Sequence, residues 1–168
     1  MRETWLIAGL CSVSHEVQPK SLYPRIAPVT LQRFAILFGI VFLLAGVAGF
    51  IPGLSPVHMH RDVAIGTSSR LALGLFPVNV LHNIVHLVFG VSGVLAATSV
   101  AAALVYARSV AIIYAVLTVC GLIPNLDTLF GLVPLYGNDI WLHAGLAIVA
   151  GYFGFVFDRS RHGVRIDR

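Results

Sequence analysis

Between Phe34 and Phe157 the sequence holds four long stretches almost free of charge, separated by short clusters rich in proline, glycine, asparagine and aspartate. A run of about 20 apolar residues, wound as a helix, matches the ~30 Å hydrocarbon core of a bilayer. Lipid offers no partner to backbone N–H and C=O groups, so such a run must satisfy them internally as a helix. The stretches read as spans at about 34–53, 77–97, 101–123 and 140–157. Composition agrees. Charged residues are 11% of the chain and mean hydropathy is +0.90, against about 25% charged in soluble domains. The expectation is an all-α, four-helix transmembrane bundle over 34–158. A cytoplasmic tail over 1–33, partly disordered, precedes it, and a basic cytoplasmic tail over 159–168 follows.

The net charge of +4 is not a nucleic-acid signal, because the basic residues gather toward the chain ends. Lys20, Arg25 and Arg33 precede the first span, and Arg159, Arg161, Arg165 and Arg168 follow the fourth. The positive-inside rule then places both ends in the cytoplasm, as an even number of spans requires. Trp5–Val13 imitates a signal peptide weakly, since Glu3 interrupts the basic region and no small-residue cleavage site follows. Pro19, Pro24 and Pro28 suggest an extended linker before the first span. Cys11 and Cys120 lack the spacing of a disulfide framework or a thiolate metal site. Arg108 falls inside the third span, with Asp158 its expected partner.

The second stretch is the informative one. Asn79, His82, Asn83 and His86 stand at i, i+3, i+4 and i+7, one polar stripe on a helix that begins at Pro77. The opposite face is Val78, Leu81, Ile84 and Val85. A polar stripe in a hydrophobic span is costly unless it faces protein, water or a ligand. Counted from Pro77, His86 falls about 13 Å along the helix, near the membrane midplane. The loop before it carries His58 and His60, a pair that reads more simply as solvated than as a metal site.

An internal comparison adds a second half to this stripe. Gly74-Leu75-Phe76-Pro77 matches Gly131-Leu132-Val133-Pro134, and without a gap His86 then aligns with His143 and His82 with Asp139. Upstream, Gly49-Phe50-Ile51-Pro52 resembles Gly121-Leu122-Ile123-Pro124. These matches suggest two tandem helical hairpins related by a pseudo-twofold along the membrane normal. His82, His86, Asp139 and His143 would then meet between spans two and four, in the outer half of the membrane.

Three readings of that meeting point stay open. Imidazole and carboxylate together suit a transition metal, with His82, His86, Asp139 and His143 as ligands. The same histidines could hold a haem or hydrogen-bond a quinone, with Asn79 and Asn83 completing a cofactor site. Alternatively they are inter-helix hydrogen-bonding groups in a structural or partner-binding membrane subunit, with Asn138 and Asp139 as ordinary helix caps. A proton, ion or small-solute pathway is the third reading, because imidazole changes charge near neutral pH. No nucleophile–base pair or phosphate loop is visible, which leans against an enzyme. The implied partners are the lipid bilayer and a second membrane protein or another copy of the chain.

Leu75-Phe76-Pro77-Val78-Asn79, His82-Asn83-Ile84-Val85-His86-Leu87 and Gly131–Asp139 with Trp141-Leu142-His143 resemble the bacterial membrane-protein family catalogued as domain of unknown function 4383. The resemblance covers about residues 31–158 and implies a four-span protein of a bacterial plasma membrane, without an activity. The architecture is also broadly similar to small four-helix proteins of the DoxX type, some of them linked to quinone or redox chemistry, an analogy of fold alone.

Overall fold

The computed structural model describes residues 26–58 and 69–157. The tail before residue 26, His60 with its neighbours Arg61 and Asp62, and Asp158 onward lie outside the described residues. The chain is helical: α1 (Ile26–Phe50), α2 (Val80–Ala96), α3 (Val100–Leu122) and α4 (Asn138–Gly151), the last continuing into a π-helical turn at Tyr152–Val156. A small antiparallel hairpin, β1 (Arg70–Ala72) with β2 (Phe76–Val78), precedes α2. Three helices are long and apolar enough to cross a membrane: Thr30–Phe50, Val100–Leu122 and Asn138–Val156. The 17-residue α2 is apolar but shorter, about 25 Å at 1.5 Å per residue.

α1 starts at Ile26, earlier than the expected boundary at Phe34, so the linker read from the prolines is helical in its last part. Pro28 is compatible with this because it lies in the first turn, whose N–H groups have no helical acceptor. Near this end Gln32 Nε2 donates to the Ala97 carbonyl at 2.9 Å, tying α1 to the α2–α3 turn. That turn is set by Ser99, whose side chain caps α3 by accepting from the Ala102 N–H at 3.1 Å.

Each helix wears its apolar bulk outward. Leu37, Val41 and Leu44 of α1 are exposed, as are Val88, Val91 and Leu95 of α2. The buried residues of α2 are His82, Asn83, His86, Gly90 and Gly93. Polar and small groups inside with large aliphatics outside is the reverse of a water-soluble amphipathic helix. It is the arrangement expected where lipid is the solvent, since apolar burial there drives little and close backbone packing does the work. α1 packs on α2 through glycines of both helices. A Cβ at Gly39 would lie 2.7 Å from the Val94 nitrogen and 2.8 Å from the Gly90 oxygen, and one at Gly90 would lie 2.6 Å from Leu43 Cγ. Ala35 and Gly39, one turn apart on α1, are both buried.

α3 packs on α4 as α1 packs on α2, though the glycines of α4 make no such close contacts, and α1 meets α3 across the middle. Phe42 and Tyr114 are the largest side chains in that central layer, their rings 5.4 Å apart. At the end away from the loops, Phe34 stacks on Phe153 at 4.6 Å. Arg108 Nε donates to the Gly154 carbonyl at 2.9 Å, inside the π-helical turn, and its guanidinium lies 5.5 Å over the Phe155 ring.

The two loops repeat one another's hydrogen bonds. Ile51 N–H donates to the Ala48 carbonyl and Ile123 N–H to that of Cys120, each at 3.1 Å; Leu54 donates to Ile51 and Leu126 to Ile123, each at 3.0 Å. Leu75 donates to Ala72 as Leu132 does to Leu129. The intervening residues Leu73 and Gly74 have φ of 55° and 70°, and Phe130 and Gly131 have 60° and 82°. Paired left-handed residues of this kind close tight turns, at a cost of roughly 1–2 kcal/mol for the non-glycine member.

Candidate metal centre

Two expectations about helix starts need correction, and both corrections shape the site. Pro77 does not open α2; it sits in β2, paired with Leu71. A proline at the first helical position and a proline in a short edge strand carry the same sequence signature. The helix is instead capped by Asn79, whose backbone is extended and whose Oδ1 accepts from the His82 N–H at 2.8 Å. Asn79 Nδ2 donates at 2.7 Å to the Leu132 carbonyl on the α3–α4 loop. In return, Asn138 Nδ2 reaches the Leu75 carbonyl at 3.3 Å. Leu75 and Leu132 are the matched positions of the two loops, so each loop is held by an asparagine at the start of the other hairpin's second helix. The cap of α4 is Gly137, with φ of 68°, and neither Asn138 nor Asp139 serves that purpose.

Starting α2 at Val80 places His82 and His86 one turn apart on its inward face, near its beginning. His86 then lies about 9 Å from the helix start, shallower than the midplane position counted from Pro77. Among the described residues His82, His86 and His143 form a buried group whose ligand atoms all lie within 4.8 Å of one another. Nε2 of His82 and Nε2 of His86 are 3.1 Å apart. The His82 and His143 rings are 6.0 Å apart between centroids, although α2 and α4 make little backbone contact with each other. The gap between the helices is bridged by imidazoles.

Asp139 is part of the neighbourhood without joining that group. Its Oδ2 lies 3.5 Å from His143 Nε2, one turn away on α4, and both side chains are 1% exposed. Asn83 is buried against α1, where Gly49 leaves room for its amide, and neither Asn79 nor Asn83 lines the cavity beside the histidines. The asparagines expected in a cofactor site therefore act on the helices: Asn79 fixes the backbone of His82, and Asn83 packs the hairpin. His58 lies in the loop, its N–H donating to the Ser69 carbonyl at 3.0 Å.

A cavity of about 90 Å³ adjoins the three histidines, walled by Val85, Tyr114, Leu117, Leu129, Val133 and Leu135. Tyr114 on α3 was not singled out by the sequence, yet its ring meets that of His143 edge-on at 4.9 Å. Phe42 of α1 closes on His86 at 5.6 Å. The signal for Tyr114 is its place in the middle of an apolar span, away from the interfacial levels where tyrosines gather.

This geometry suits a metal ion better than the larger cofactors. Nitrogens about 2.0–2.1 Å from a tetrahedral zinc lie about 3.3 Å apart, close to the 3.1 Å between His82 and His86. The widest separation in the group, 4.8 Å, is about 1.5 Å more than that tetrahedral spacing, so side-chain rotation has to draw the imidazoles inward to complete the site. Nδ1 of His82, Nδ1 of His143 and Oδ2 of Asp139 are buried without a hydrogen bond, each at a cost of about 1–3 kcal/mol. A cavity of 150 Å³ admits benzene, so a space of about 90 Å³ fits a metal ion more readily than a quinone ring or a haem.

A family model, Domain of unknown function (DUF4383), matches residues 32–156, most of the chain, and the chain belongs to that family. No curated protein and no solved structure matches it.

Proposed function

We propose that this DUF4383 protein is a four-span membrane protein that holds one divalent transition-metal ion between His82 and His86 of α2 and His143 of α4. The reading is carried by three buried imidazoles from two helices, with ligand nitrogens gathered within 4.8 Å and with His143, whose Nε2 faces Asp139, keeping its Nδ1 without a hydrogen bond. An all-imidazole donor set suits zinc, copper, iron or nickel. Asp139 stands behind His143, where a carboxylate commonly orients a metal-binding imidazole and raises its basicity. α2 serves as the fourth span on the strength of its exposed aliphatic face and its glycine-mediated packing on α1. The repeated loop hydrogen bonds support two tandem hairpins related by a pseudo-twofold axis. With the arginines flanking α1 and α4 on the cytoplasmic side, as in a bacterial plasma membrane, the centre faces the outer half of the bilayer.

One observation favours a second reading. His82 and His86 at 3.1 Å form a hydrogen bond if one ring donates to the other, and such contacts hold membrane helices together at about 1–2 kcal/mol or less. Metal analysis of protein purified in detergent separates the two. The metal reading requires near-stoichiometric uptake, abolished in His86→Ala and in His143→Ala, and weakened roughly 10- to 100-fold in Asp139→Asn. Wild-type protein that takes up no zinc, copper, iron, nickel or cobalt overturns the metal reading and favours the helix-holding role.

A further inference from the structure

We infer that the metal centre keeps one coordination position open toward the cavity, and that this position takes a small monoanion of two or three atoms. The inference rests on the metal reading and goes beyond it by naming what the ion would bind. Three observations carry it.

Donor number comes first. His82, His86 and His143 supply one nitrogen each, and among the described residues no cysteine or carboxylate joins them within ligand distance. Asp139 is the nearest acid, and it is turned to His143. Three protein donors with a fourth, exchangeable position is the pattern of zinc sites that bind and activate small molecules, whereas purely structural sites close all four.

Space comes second. The cavity adjoins all three histidines, and its remaining wall is aliphatic apart from Tyr114. At about 90 Å³ it is smaller than the 150 Å³ that accepts a six-membered ring, and it has room for a short linear ligand.

Charge comes third. A divalent ion held by three neutral imidazoles carries two positive charges into apolar surroundings, where an uncompensated charge costs several kcal/mol. Among the described residues Asp139 is the acidic side chain seen beside the group, 3.5 Å from His143. An anion at the open position supplies the second negative charge. A neutral ligand of the same size leaves that charge uncovered.

Cobalt(II) as the metal and azide as the probe test this directly. Cobalt-loaded protein in detergent is titrated with azide while the visible ligand-field bands are followed. The expected result is a saturable change in those bands, with half-saturation on the order of millimolar, the affinity of a contact worth about 4 kcal/mol. Leu117→Phe, which fills the cavity from α3 and spares all three donors, is expected to keep the cobalt spectrum and weaken azide roughly tenfold or more. Cobalt bands that azide leaves unmoved overturn the open position and leave the metal centre standing. Failure to take up cobalt or any other transition metal overturns both.

Discussion

At the level of single residues, the structure separates two kinds of polar group, the histidines and Asn79 being buried and Asn138 exposed. His82, His86 and His143 converge; Asn79 and Asn138 tie backbone together. Asn79 satisfies the first turn of α2 and an acceptor on the opposite loop at once. Asn79→Ala is expected to lower stability in detergent by about 1–3 kcal/mol, combining a lost cap with an abandoned carbonyl. Asn79→Ser, whose hydroxyl can still cap but cannot span to Leu132, is expected to lose less. Thermal unfolding of the three proteins checks that order; an Asn79→Ala protein as stable as wild type rejects the bridge. The histidines were legible in the sequence because imidazoles at helical spacing in an apolar run must turn away from lipid. Which side chains converge was not, since Asp139 and the histidines carry equal chemical promise on paper. In the structure α4 begins after Gly137 and carries Asp139 behind His143. Tyr114 escaped notice because a tyrosine in a membrane helix suits the lipid interface as well as the interior.

Helices and loops tell a similar story at the next scale up. Long apolar runs fixed α1, α3 and α4 to within a few residues at most boundaries, since lipid leaves a run of that length no other secondary structure. The start of α2 was misplaced because the hairpin before it lacks an Asn-Gly or Asp-Gly turn; Leu73-Gly74 adopts the left-handed pair instead. The α1–α2 contact depends on glycines that let two backbones touch. Gly39→Ala pushes a Cβ against the main chain of α2 at Gly90 and Val94. A loss of about 1–3 kcal/mol is expected from such overpacking. Gly145→Ala on α4, where an added Cβ meets nothing within 4 Å, serves as the control, and helix propensity alone is expected to leave it neutral or up to about 1 kcal/mol more stable. Equal unfolding temperatures for the two variants would remove the close-approach account.

For the molecule as a whole, the hairpin pairing puts both long loops at one end and the Thr98–Ser99 turn at the other. The orientation argued from arginines therefore makes a sharp prediction about access. In a cysteine-free background, single cysteines at Leu73 and Phe130, which are 61% and 79% exposed, are expected to react with a membrane-impermeant maleimide added to intact cells. A cysteine at Thr98 is expected to react only after the membrane is broken. The opposite pattern inverts the protein and moves the histidine cluster to the cytoplasmic half. The pairing itself was visible in sequence only as a few repeated letters, because nothing local to a helix specifies its neighbour; the crossed asparagine bonds and the matched loops give those letters a physical meaning.

The inverted polarity of α2 has a consequence for how the chain is made. A segment bearing two imidazoles and an amide is a poor candidate for partitioning into the bilayer by itself, whereas the uncharged α1 core enters readily. The glycine face of α1 offers α2 a place to hide those groups as both leave the ribosome. Biogenesis would therefore proceed by hairpins, the first helix acting as usher for the second, and His143 would join His82 and His86 only after the second pair had arrived.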